Sequence, residues 1–183
     1  SRHETAEING ISHFVEHMLF KGTERRSAQA VAREVDSVGG LLNGFTSREY
    51  SCYFVKILAE KLPLAVDLLG DLICNSKFNL DDIEKERRVI LQEIAMIEDS
   101  PEELIHDQFS SSFWSGHSLG RPVIGTPAIV DGIDRQQMLD FMGKRYVGKN
   151  LCVVAAGSLD HDELVALVEH ALNGIPESGV DQD

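Results

Sequence analysis

No stretch of this 183-residue chain strings together the roughly 18 apolar residues that a membrane-spanning helix needs. The opening Ser1-Arg2-His3-Glu4 is polar and unlike a secretory signal, so the chain as given reads as soluble, with no membrane partner. Positive charge is scarce: 17 Lys+Arg stand against 30 Asp+Glu, a formal net charge of −13. Phosphate backbones would be repelled, which argues against nucleic acid and, if anything, favours basic peptides as partners. Cysteine is scarcer still. Cys52, Cys74 and Cys152 are odd in number, widely spaced and each beside an apolar or aromatic residue, which suits reduced buried thiols better than a disulfide frame or a thiolate zinc site. The compartment stays open, with the cytoplasm favoured. Repeats and low-complexity segments are missing too. What the chain does have is 43% hydrophobic residues, enough to bury the core of one domain of ordinary size.

Local patterns predict mixed helices and strands. Apolar residues at nearly every position of a helical wheel from Ile8 to Phe20 predict a buried helix, ended by Lys21-Gly22-Thr23. Ser27 opens a second helix that Gly39-Gly40 stops. Tyr50 to Val55 reads as a strand, while Gly44 to Ser47 fits a strand end or a turn. Helices follow over 60–74, from Asn79 or Asp81 as cap to about Glu98, and over 102–111, 134–145 and 160–173. Ser115 to Thr126 reads as a loop, Leu151 to Gly157 as a strand, and Gly174 to Asp183 as a linker or a cut end.

The chemistry concentrates in the first helix. His13-Phe14-Val15-Glu16-His17 is a His-x-x-Glu-His pattern, and at 100° per residue the two imidazoles and the carboxylate share a face. From the frequencies of His and Glu, about 0.02 such matches are expected by chance, so the pattern carries information. Any one of these residues alone reads best as a satisfied core histidine or a paired charge. Together on one apolar helix they do not, because an unpaired buried carboxylate costs several kcal/mol unless a cation compensates it. Imidazoles at i and i+4 can bind one Zn²⁺, and the neighbouring Glu can serve as general base toward a water that the metal activates.

A hydrolytic zinc site needs a third protein ligand. On the long helix Ile83, Ile90, Ile94 and Ile97 mark the buried stripe, and Glu86 and Glu93 fall at its edge, about 60° and 80° from Ile83. Both point partly inward. Two turns separate them, about 10.5 Å along the axis, so at most one is expected to touch the metal.

Beyond these five residues, Asn9-Gly10-Ile11-Ser12 before the motif and Met18 to Thr23 after it resemble the active-site helix of the pitrilysin-like zinc metallopeptidases, mitochondrial-processing-peptidase type. Asn43-Gly44-Phe45-Thr46-Ser47-Arg48-Glu49 resembles the family's substrate-side edge strand, which makes Asn43 a substrate-binding candidate. Its plainer reading is a turn residue beside Gly44. Glu86 to Ile94 resembles the segment supplying the family's third ligand; that resemblance makes Glu93 the ligand and Glu86 a supporting carboxylate at the catalytic site. Gly116 to Pro122 and Tyr146 to Asn150 match as well, and His117 is read there as structural.

The resemblance implies an α+β fold, an antiparallel-rich sheet with helices packed on one face. It implies that residues 1–183 form a single N-terminal catalytic-type domain, without the family's first strand and second half. The function that follows is zinc-dependent hydrolysis of peptides, with His13, His17 and Glu93 as metal ligands, Glu16 as general base and Glu86 in support. Partners are a peptide substrate and a second family domain or subunit. A metal-retaining scaffold that does not cleave alone, and an unrelated hydrolase with the same ligands, are the alternatives.

Overall fold

The computed structural model describes residues 1–178 as two compact units, made of Ser1–Met18, Phe45–Cys52 and Phe78–Leu139, and of Leu19–Gly44, Tyr53–Lys77 and Asp140 onward. Helices dominate. In chain order the elements are α1 (Ile11–Leu19), α2 (Ala28–Ser37), β1 (Leu41–Thr46), β2 (Ser51–Lys56), α3 (Leu62–Asn75) and α4 (Leu80–Glu98), then α5 (Pro101–Phe113), α6 (Pro127–Gly132), α7 (Arg135–Arg145) and α8 (His161–Ala171). The strands form a two-stranded antiparallel sheet closed by residues 47–50, so the α+β class holds, with helix in excess.

In the first unit α1 begins at Ile11 because the chain must turn before it. A single 3-10 turn, Ala6–Ile8, precedes Gly10, whose φ of +96° suits glycine, and a Cβ there would stand 2.6 Å from the Ile124 carbonyl oxygen. Glu4, 3% exposed, caps the helix: its carboxylate accepts from Gly10 N at 2.9 Å, Ser12 N at 3.0 Å and Asn9 Nδ2 at 3.0 Å. Ile11, Phe14, Val15 and Met18 are fully buried, as are Ile90 of α4 and Val130 of α6. Arg87 on α4 lays its guanidinium over the Phe14 ring, 5.4 Å from the centroid, and donates to the carbonyls of Val130 and Ile133 at the end of α6. That buried arginine fixes α4 to both helices.

The second unit rests on Val31 and Val35 of α2 against Leu68 and Leu72 of α3, with Phe20, Leu42 and Leu64 at the margin. Exposure alternates along β1, so one strand face is covered and the other meets solvent. Helices α3 and α8 cross closely at Gly70, where a Cβ would sit 2.8 Å from that of Ala171.

Two expectations need correction, and two left open are decided. Leu151 to Gly157 is not a strand: among the described residues nothing pairs with it, and a strand without a ladder partner leaves its backbone to solvent. Val153 and Val154 are consequently 52% and 84% exposed, and Cys152 is exposed rather than buried, although all three cysteines are free thiols. Of the two readings of Gly44 to Ser47, the strand end holds: residues 44–46 close β1. Asn79 occupies the N-cap position of α4, yet its side chain makes no capping bond there. Helix α6 was not foreseen, its six residues being too short to show a period. Of the proposed tail, residues 179–183 lie outside the described residues. Among the described residues no helix is long and apolar enough to cross a membrane.

Candidate metal centre

Helices α1 and α4 of the first unit bring five ionisable side chains together. On α1 the apolar residues are buried, while His13, Glu16 and His17 are half-buried on the remaining face. The rings of His13 and His17 stand 4.6 Å apart at 65°. From α4, Glu93 Oε2 lies 3.5 Å from His17 Nε2 and 3.9 Å from His13 Nε2. One ligand atom from each of the three lies within 4.8 Å of the other two. Tetrahedral ligands about 2.1 Å from a zinc ion stand about 3.4 Å apart, so the opening matches such an ion.

Hydrogen-bond chemistry points the same way. Glu86, 7% exposed, sets Oε2 3.1 Å from His17 Nδ1. An ionised carboxylate only accepts, so Nδ1 carries the proton, and in the neutral ring Nε2 presents its lone pair to Glu93, a second acceptor. Two acceptors aimed at one point repel unless a cation lies between them. Among the described residues His13 Nδ1 is buried without a hydrogen-bond partner, so the polar contact of that ring is made through Nε2. Burial, and then the neighbouring His17, lower the pKa of His13 to about 4, which keeps its ring in the neutral form that ligates metals. The donor set therefore fits a divalent zinc ion.

Glu16 completes the cluster. Burial pushes its carboxyl above the usual carboxylate range; a hydrogen bond from Thr46 and the charge of His17 oppose the rise, and Glu93 adds to it. Thr46 Oγ1 donates to Glu16 Oε2 at 2.5 Å.

Seven residues apart on α4, Glu86 and Glu93 meet different nitrogens of His17. Asn43 is the one site candidate in the second unit, on the exposed face of β1, where its Oδ1 accepts from Gly44 N at 2.8 Å. His117 is exposed and closes a local turn by accepting from Leu119 N at 3.1 Å. Sequence reasoning passed over Glu4 and Thr46. Thr46 lies inside the Asn43 to Glu49 segment and becomes visible only once residues 44–46 are assigned to a strand; Glu4 precedes the helix it caps by more than the usual capping offset.

The family model described as insulinase, peptidase family M16, matches residues 1–127, and the one described as peptidase M16 inactive domain matches residues 132–183. The chain belongs to peptidase family M16. Among its M16 relatives, an uncharacterized zinc protease of Mycobacterium tuberculosis is 47% identical over 171 residues, covering 93% of this chain and 39% of the relative. The beta subunit of the mitochondrial-processing peptidase of Dictyostelium discoideum is 40% identical over 184 residues, covering 100% of this chain and 39% of the relative. The chain thus spans about two fifths of the curated relatives it matches. A protease from Helicobacter pylori has the same fold, with a TM-score of 0.92 at 23% identity over 100% of this chain and 44% of that one.

Proposed function

We propose that this M16 chain carries the metal site of a zinc-dependent endopeptidase that hydrolyses peptides, with His13, His17 and Glu93 as the zinc ligands. The observation that carries the reading is the approach of Glu93 Oε2 to both Nε2 atoms, with Glu16 one residue before His17 on the same helix face. Zinc, when bound, supplies a Lewis acid that makes water more acidic and stabilises negative charge on the carbonyl oxygen of the scissile bond. Glu16 accepts a proton from the attacking water and passes it to the departing amine. Its raised pKa brings it closer to working pH, which suits that exchange. Glu86 holds the His17 ring by its Nδ1–H, fixing the tautomer that leaves Nε2 free. Asn43, on the exposed face of β1, is assigned to the substrate backbone.

The relatives' names supply the zinc and the protease class, and their greater length favours a second reading. In it this chain holds zinc but cleaves only beside a second family domain or a partner subunit. Bound zinc and hydrolysis of an unfolded peptide, measured with wild type, His17→Ala and Glu16→Gln, test both. His17→Ala is expected to lose the metal. Glu16→Gln is expected to keep it while turnover falls by about 10²- to 10⁴-fold. Zinc-loaded chain that cleaves only after a candidate partner is added selects the second reading; wild-type chain that binds no zinc sinks both.

A further inference from the structure

In the first unit Glu16 is held from the hairpin, not from a neighbouring helix. Thr46 is the last residue of β1 and lies on its half-buried side, and its Oγ1 donates to Glu16 Oε2 at 2.5 Å. Across the hairpin Ser51, the first residue of β2, sets its Oγ 3.1 Å from the same Oγ1. A hydroxyl owns one proton. Given to Glu16, it leaves Thr46 only an acceptor toward Ser51, so the order runs from Ser51 to Thr46 to Glu16.

The consequence for Glu16 is geometric. A glutamate on a helix surface has several free torsions, and fixing them costs rotamer entropy. Threonine on a strand is stiff at χ1, so it presents its hydroxyl at a fixed point and anchors one carboxylate oxygen there. The other oxygen, Oε1, stays available for the proton of water, with the carboxylate plane already set. We infer that Thr46 is a positioning residue for Glu16, with Ser51 orienting the Thr46 hydroxyl. The inference rests on the reading of Glu16 as general base.

The zinc-loaded full chain tests it as wild type, Thr46→Val, Thr46→Ser, Ser51→Ala and Glu16→Gln. Three quantities are measured: bound zinc, the infrared carboxylate band of Glu16, assigned by its loss in Glu16→Gln, and kcat and KM on an unfolded peptide. Thr46→Val keeps the shape and removes the hydroxyl. It is expected to retain zinc, shift the Glu16 band and lower kcat about 10- to 100-fold, with KM changed by less than about twofold. Thr46→Ser is expected to restore the band and kcat, and Ser51→Ala to shift both in the same direction by less. An unshifted band in Thr46→Val overturns the positioning role, whether or not the chain turns over alone. So does a Thr46→Ser variant as impaired as Thr46→Val, which traces the loss to packing. Wild-type kcat in Thr46→Val beside a dead Glu16→Gln overturns it while leaving the general base in place. Wild-type turnover in Glu16→Gln removes the general base itself and the positioning role with it.

Discussion

Each unit of this chain gathers charged side chains, and the two clusters differ in what balances them. In the second unit Arg26 donates to Asp71 at 2.8 Å, to Asp67 at 2.5 Å and to Glu34 at 3.1 Å, while Thr23 and Asn75 donate to Asp71 at 2.7 and 2.9 Å. Every carboxylate there meets a donor. Burial works against the charge on Asp71, yet Arg26, Thr23 and Asn75 hold its pKa below the usual carboxylate range. In the first unit His13, Glu16, His17, Glu86 and Glu93 include three carboxylates and no permanent cation. A self-balanced cluster is architecture, whereas an unbalanced one held by a rigid helix pair is a place for a cation from outside.

Unbalancing the second unit is expected to have the largest effect. Asp71→Ala removes a carboxylate whose side chain is 1% exposed, leaving Thr23, Asn75 and one arm of Arg26 without their acceptor while Asp67 and Glu34 still hold Arg26. Breaking such a buried pair costs about 3–5 kcal/mol, seen as a lower midpoint in urea, with bound zinc unchanged in the chain that remains folded. Loss of zinc from folded Asp71→Ala would mean that the two clusters are not independent.

Acid separates them next. Unfolded His13 takes up a proton below about pH 6.5, but in the folded, metal-free chain it waits until about 4. The unfolded state therefore binds more protons across that window, and His13 makes stability fall as the pH drops through it, by about 3 kcal/mol in all. The depressed pKa of Asp71 withdraws its contribution only below 3.8. Glu16, with its pKa raised, acts in the opposite sense, its contribution present in acid and lost as pH rises through the folded value. Thermal midpoints of metal-free wild type and His13→Phe between pH 4 and 7 check this; identical slopes would refute the assignment to His13.

Loss of the Nδ1 partner of His17 is expected to matter least. Glu86→Ala frees the His17 ring from its Nδ1 partner and is expected to weaken zinc about 10- to 100-fold, measured by competition with a chelator. Unchanged affinity would make Glu86 a buried acid without a part in the site.

Much of this was legible before folding. The apolar run of α1, the pattern His13-x-x-Glu16-His17 and the cap at Ser27 depend on neighbours a few residues apart, and local sequence encodes such relations directly. Leu151 to Gly157 shows the limit. Its composition is that of a strand, but a strand forms only where a second backbone satisfies it, and β-propensity carries no information about that partner. Thr46 was hidden for a related reason: whether residues 44–46 turn or continue a strand is settled by pairing with β2.

From the residue order alone came the chemistry available: two imidazoles and a carboxylate one helical turn apart, and two further acids spaced at two turns on another helix. Folding alone decided how those helices meet. Glu93 faces both Nε2 atoms and Glu86 faces Nδ1 because of how α4 is set against α1, with Arg87 over the Phe14 ring, and that arrangement depends on many residues distant in sequence.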